Sequence, residues 1–206
     1  MLADCRACPR LAGFLDEVRT RHLDYHARPV APFGEAAPRL LIVGLAPGLH
    51  GANRTGRPFT GDHAGILLYQ TLHEFGWASR PHSVSLDDGL ELPGCRITNA
   101  VKCLPPANKP EPVEIRQCNG HLRAELDGLT STTAVLALGR IAHQAVLMAL
   151  GLKPAQHPFA HGAVHILPDG RRLYDSFHCS RYNTQTRRLT ADMFRAVFAR
   201  IRSDLE

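Results

Sequence analysis

The order of apolar and polar positions divides the chain into short buried strands and amphipathic helices. Leu40–Leu45 (LLIVGL) and Ala134–Leu138 (AVLAL) are continuous apolar runs of strand length, the pattern of strands covered on both faces. Arg96–Val101 (RITNAV) reads as a third strand, and Ala163–Leu167 and Arg172–Phe177 flank a hairpin-like turn at Pro168-Asp169-Gly170. Helical spacing appears over Arg10–His22, at Leu11, Phe14, Leu15 and Val18, and again from Asp62 to a stop at Gly76. Pro112–Leu126, Arg140–Leu150 and a last segment capped by Thr190 complete the helices, while three prolines in Arg28–Pro38 predict a connecting loop. Strands alternating with helices predict an α/β fold, a three-layer α/β/α sandwich around a central, mostly parallel four-stranded sheet. The length of 206 residues reads as one domain, 1–206. In such sheets ligands bind in the loops beyond the carboxyl ends of the strands.

Composition narrows the class. With 44% hydrophobic and 21% charged residues the chain has neither a disordered nor a membrane profile. No apolar run is long enough to cross a bilayer, and the first ten residues, MLADCRACPR, lack the apolar stretch of an export signal. The expectation is a cytoplasmic protein, a monomer without a membrane partner. Its net charge of +5 is compatible with a polyanionic ligand.

A reducing compartment gives the six cysteines a different meaning from disulfides. Cys5 and Cys8 form a C-x2-C pair, and Cys103 and Cys118 form a distant second pair, giving four thiolates that suit tetrahedral zinc or an iron–sulfur cluster. Pro9 and Pro105-Pro106 beside them read as rigid ligand loops, although buried thiols are also common core residues. Cys95 and Cys179 stand outside that set, Cys95 as a structural residue.

The exit of the first strand carries five glycines between residues 44 and 61. It lacks the Gly-Lys-Ser/Thr ending of a P-loop and the spacing of a dinucleotide fingerprint. It does carry Asn53, Arg54, Arg57, Phe59 and Asp62, a mixture of donors, cations, a stacking ring and a carboxylate that suits a nucleotide or nucleic-acid site.

The segment Gly44–Asp62, GLAPGLHGANRTGRPFTGD, resembles the first motif of the family 5 (B-type) uracil-DNA glycosylases of the uracil-DNA glycosylase superfamily. His178–Leu189, HCSRYNTQTRRL, is similar to their second motif, and Thr98-Asn99-Ala-Val-Lys-Cys103 is similar to the strand that bears the base-reading asparagine. The resemblance implies that Cys5, Cys8, Cys103 and Cys118 hold a 4Fe-4S cluster of structural role. It implies a monofunctional DNA repair enzyme that flips a damaged base out of the helix and hydrolyses its N-glycosidic bond. Uracil is the expected base, with hypoxanthine, xanthine and ethenocytosine as further candidates.

On that reading Phe59 stacks on the extruded base, Asn99 pairs with its Watson–Crick edge, and Gly44, Ala46 and Asn183 complete the substrate site, Asn183 by orienting it or touching backbone. Asp62 orients or deprotonates the water, competing with an ordinary helix N-cap role. His178 donates to the carbonyl oxygen of the departing base, for which a neutral ring suffices. Arg54, Arg57, Arg181 and Arg187 face the DNA backbone, joined by Lys102, Lys109 and Arg188; Arg181 or Tyr182 is the candidate wedge. Leu45 and Ala46 stand where related families carry a polar or acidic residue, Cys179 where proline is common, and Arg187 where glycine is expected. Two other readings remain at this stage: a metal-stapled nucleic-acid-binding module without catalysis, and a family 4-like enzyme restricted to uracil.

Overall fold

The continuous apolar runs become the interior strands. A computed structural model describes residues 2–206, and in it β2 (Leu40–Gly44) and β4 (Ala134–Leu138) are buried at every position. They lie in a sheet with β1 (Phe33–Gly34), β3 (Cys95–Asn99), β5 (Val164–Ile166) and β6 (Arg172–Ser176) in the order β1-β3-β2-β4-β6-β5. The four inner strands β3-β2-β4-β6 are parallel, and β1 and β5 add antiparallel edges. The sheet therefore has six strands, not the expected four. The extra edge β1 lies inside the proline-rich Arg28–Pro38 stretch, and it forms because Phe33 and Gly34 pair with Ile97 and Arg96 of β3.

Helices cover both faces. α3 (His63–Glu74) and α7 (Ala191–Leu205) share one apolar core with the sheet, built on Leu40, Ile42, Leu68, Leu72, Phe194 and Phe198. α4 (Pro112–Asp127) and α5 (Arg140–Ala149) share the other, built on Leu41, Val43, Leu122, Val135 and Val146. α1 (Pro9–Arg21) buries Leu11, Leu15 and Val18 against Val101, Leu104 and the Cys103 and Cys118 side chains. Two short helices go unmarked by periodicity, α2 (Ala52–Thr55) and α6 (Arg181–Gln185), one in each loop bearing a motif. Among the described residues no helix is long and apolar enough to cross a membrane.

Chain direction reverses around β2: α3 leads to β3 on one side, and α4 then crosses to β4 on the other. A crevice opens at such a switch point, beyond the strand carboxyl ends. Gly44 and Asn99 are register partners at the last paired positions of β2 and β3, on its floor.

Candidate active site

A cavity of about 290 Å³ lies in this crevice, walled by Leu45, Ala46, Gly48, Ala52, Phe59, Asp62, His63 and Ala64 from the loop after β2 and the start of α3. Asn99 and Asn108 enter from the β3 side, and His178, Ser180 and Arg181 from the loop after β6. Residues more than a hundred positions apart thus meet because three parallel strands end at one edge.

Gly44 sets the floor. A Cβ there would lie 2.7 Å from two ring atoms of Phe59 and closer still to Asn99 Oδ1, so only glycine lets ring and carboxamide stand side by side. Phe59 itself has φ 55°, a left-handed conformation costly for an aromatic residue. Its carbonyl packs where a Cβ of Gly65 would be, and its ring stacks on His178 with centroids 5.8 Å apart and planes 29° apart. Tyr69 Oη donates to the neighbouring Pro58 carbonyl at 2.7 Å. The surroundings over-determine the strained residue, as at sites that must hold a ring in one pose.

Asp62 divides its two oxygens between two tasks. It is the N-cap of α3, Oδ1 accepting from Gly65 N–H at 3.1 Å. Oδ2 stands in the wall of the cavity, so near Gly51 that a Cβ on that glycine would lie 2.5 Å from it. Burial raises the Asp62 carboxyl above its ordinary range, opposed by the Gly65 and Ala64 backbone N–H groups. His178 moves the other way for the same reason: burial lowers its ring to about 4, so it is neutral at pH 7. The loop that carries it is held by Asn183, whose Nδ2 donates to the His178 carbonyl at 2.8 Å. Asn183 does not line the cavity itself; through this bond it takes the orienting role expected of it.

The basic residues divide into two groups. Arg54, Arg181, Arg187, Arg188 and Lys109 are exposed, and Arg181 reaches the cavity rim. Arg187 adopts φ 57°, the left-handed conformation that the expected glycine would take without strain. Arg188 lies over the Phe177 ring at 4.7 Å, and Tyr182 is 70% exposed on α6. Arg57 and Lys102 do not face solvent, against the expectation. Arg57 is 2% exposed, bonded to Asp88, Ser83 and the Leu86 carbonyl and lying over Phe33 at 4.2 Å. Lys102 is wholly buried, its Nζ donating to Glu125 at 2.6 Å and to Thr98 Oγ1. Both guanidinium and ammonium are spent on internal pairs and cannot reach a phosphate.

Asn108 and Ser180 belong to the cavity and were not legible as site residues. Asn108 sits in an exposed turn with Ala107, both left-handed at φ 56° and 52°; the only sequence signal was an asparagine, tolerant of that conformation, after Pro105-Pro106.

On the far side of β3 the cysteines converge. Cys5 follows a short 3-10 turn (Leu2–Asp4), Cys8 is the N-cap residue of α1, Cys103 follows β3 and Cys118 lies on α4; all four line one small cavity. No three of their sulfurs lie within 4.8 Å of one another. Cys118 Sγ accepts the Lys102 backbone N–H at 3.3 Å. Burial first, and then the neighbouring thiols, push Cys103 up to about 12 and raise Cys8, while burial raises Cys118 against the opposing Lys102 N–H and ammonium. Arg10 braces the two cysteine-bearing helices by pairing with Glu114 through Nε at 2.8 Å and Nη2 at 2.7 Å. Cys95 and Cys179 are buried elsewhere, in the core shared with α3 and α7.

Comparison with known proteins agrees with this geometry. The Uracil DNA glycosylase superfamily model matches residues 31–202, which include all three loops of the cavity. A type-5 uracil-DNA glycosylase of Thermus thermophilus is 51% identical over 201 residues, covering 95% of this chain and 91% of that protein. A type-5 uracil-DNA glycosylase of Pyrobaculum aerophilum is 42% identical, covering 98% and 90%. A type-4 uracil-DNA glycosylase of Sulfurisphaera tokodaii is more distant, 28% identical over 80% of this chain and 71% of its own length. With the strand-end cavity, the motif loops that wall it and these relatives in agreement, the chain belongs to the uracil-DNA glycosylase superfamily, in its type-5 group.

Proposed function

We propose that this protein removes uracil from DNA by hydrolysing the N-glycosidic bond and leaves an abasic site. The observation that carries the reading is the convergence of Phe59, Asn99, Asp62 and His178 on one cavity at the strand ends. The target bond is inaccessible inside the stack, so the nucleotide must rotate into this cavity. Phe59 then supplies a π-face, and the Asn99 carboxamide both donates to and accepts from the uracil edge. Asp62 Oδ2 holds or deprotonates the water and stabilises positive charge developing on the sugar. Neutral His178 donates an N–H to the departing base as negative charge grows on its carbonyl oxygen. Arg54, Arg181 and Arg187 contact phosphates on the rim. The protein acts as a monomer in the cytoplasm.

Hypoxanthine and xanthine are further substrates on this reading. A small residue, Ala46, in the cavity wall supports this reading. Cys5, Cys8, Cys103 and Cys118 hold a 4Fe-4S cluster. What supports the reading is that all four thiols line one small cavity, the donor set that such a cluster takes. A bound cluster supplies a structural cross-link between the N-terminal segment, β3 and α4. The cleavage chemistry stays with the side chains of the strand-end cavity.

The test uses duplexes bearing one uracil, hypoxanthine, xanthine or ethenocytosine, incubated with the protein and treated with alkali. Scission at the uracil is expected, because alkali breaks only an abasic site. No scission on any substrate would leave a binding module; scission at uracil alone would describe a uracil-restricted enzyme. The purified protein should be brown and contain about four irons per chain; a colourless, zinc-containing protein would refute the cluster.

A further inference from the structure

A second group of polar side chains assembles away from the cavity and the cysteines, where α5, β5 and β6 meet. Asp175, fully buried on β6, has His143 Nδ1 at 2.7 Å from Oδ1 and His165 Nε2 at 3.1 Å from Oδ2. Among the described residues no lysine or arginine pairs with it; its partners are these two rings. A buried carboxylate needs a compensating cation.

The proton on His143 can be placed. Its Nε2 lies 2.8 Å from the His157 carbonyl oxygen, and a carbonyl only accepts, so Nε2 carries hydrogen. A neutral His143 ring therefore presents the Nδ1 lone pair to the Asp175 carboxylate. That approach is held either by a second proton on the ring or by a metal ion that takes its place. A ring N–H given to a backbone carbonyl, which fixes the ring and leaves the opposite nitrogen free as a ligand, is how metal-ligating histidines are oriented.

A histidine cluster surrounds this point. The His165 ring lies 5.4 Å from that of His143, and the His157 ring 5.6 Å from that of His165. One donor atom from each of His143, His165 and Asp175 falls within 4.8 Å of the others. We propose that His143, His165 and Asp175 bind one divalent transition-metal ion of the zinc class, with the neighbouring His157 ring, outside that group of three and 5.6 Å from the His165 ring, turning in as the fourth donor. His165 is 10% exposed and His157 is half-buried, which gives the ion a path inward. Bound there, the ion ties α5 to both strands of the β5–β6 edge. It also secures the strand that ends two residues before His178.

The experiment compares purified full-length protein with His165→Gln and His157→Ala after gel filtration and re-equilibration with zinc alone. Zinc and iron per chain are counted by mass spectrometry, and thermal midpoints are measured with and without zinc. Wild type should hold one zinc more than His165→Gln, since zinc on cysteines is common to both and cancels. Zinc at a hundredfold over its dissociation constant should raise the wild-type midpoint by about 5 °C and leave that variant unmoved. His157→Ala should bind zinc at least tenfold more weakly, with an unchanged metal-free midpoint. This loop variant decides the matter if the strand variant fails to fold. Equal zinc in all three proteins, with no zinc-dependent shift, would overturn the site. The cation between His143 and Asp175 would then be a second ring proton. None of these readouts depends on glycosylase activity.

Discussion

Asp62→Asn separates the two tasks of that side chain. Asparagine is as good an N-cap as aspartate, and its amide oxygen can still accept the Gly65 N–H now met by Oδ1 at 3.1 Å. Stability should therefore change by no more than about 0.5 kcal/mol, a shift of about 2 °C or less for a chain of this size. Asparagine cannot take a proton from water. Loss of general-base assistance costs about a hundred- to ten-thousandfold in rate, or about 3–5 kcal/mol in the barrier. The acid side of the pH profile should change as well. Burial raises the Asp62 carboxyl, so the wild-type rate should climb with pH until that group ionises, above the ordinary carboxylate range. The variant should lack this limb. The assay is single-turnover cleavage of a uracil duplex from pH 4.5 to 8, enzyme in excess, read after alkali. A variant within threefold of wild type and retaining the acid limb would refute the role of Asp62 and leave it a cap alone.

Gly44→Ala should push the Phe59 ring and Asn99 apart, since the new Cβ would lie 2.7 Å from the ring; equilibrium binding to a duplex with a non-cleavable uracil analogue should weaken at least tenfold, about 1.4 kcal/mol. Glu125→Gln strips the buried Lys102 of its counter-charge and should cost about 3 kcal/mol or more, seen as a lower urea midpoint at pH 7. His178 has its ring lowered to about 4 against an ordinary 6.5, so between these values the unfolded chain binds the proton and the folded chain does not. Stability should fall as pH drops through that window, by about 3 kcal/mol in total, and His178→Gln should flatten this dependence in urea titrations at pH 7 and 4.5. Arg187→Gly relieves the left-handed strain at φ 57° and should add about 0.5–1 kcal/mol of stability, while shallowing the salt dependence of DNA affinity by about one phosphate contact.

The amino-acid order by itself determined the parts of this protein that rest on local physics. Leu40–Gly44 and Ala134–Leu138 must be interior strands, because five consecutive buried apolar residues suit a strand covered on both faces. Asp62 and Thr190 mark helix starts, because their side-chain oxygens satisfy backbone N–H groups three residues on. The motif loops around Phe59 and His178, and the cysteine spacings, are legible as chemistry in the sequence itself. Tertiary structure alone decided what depends on partners distant in the chain. Arg57 and Lys102 read as surface cations, yet they are buried because Asp88 and Glu125, 31 and 23 residues away, come to meet them. β1 is two residues long and exists only as a partner for β3. Asn108 joins the cavity because its turn folds over the β3 end, and Asp175 acquires two histidines because β5 and α5 flank β6. Periodicity and capping act within a turn or two of backbone. The identity of a buried charge's partner is set by which strands lie side by side, and only the folded sheet specifies that.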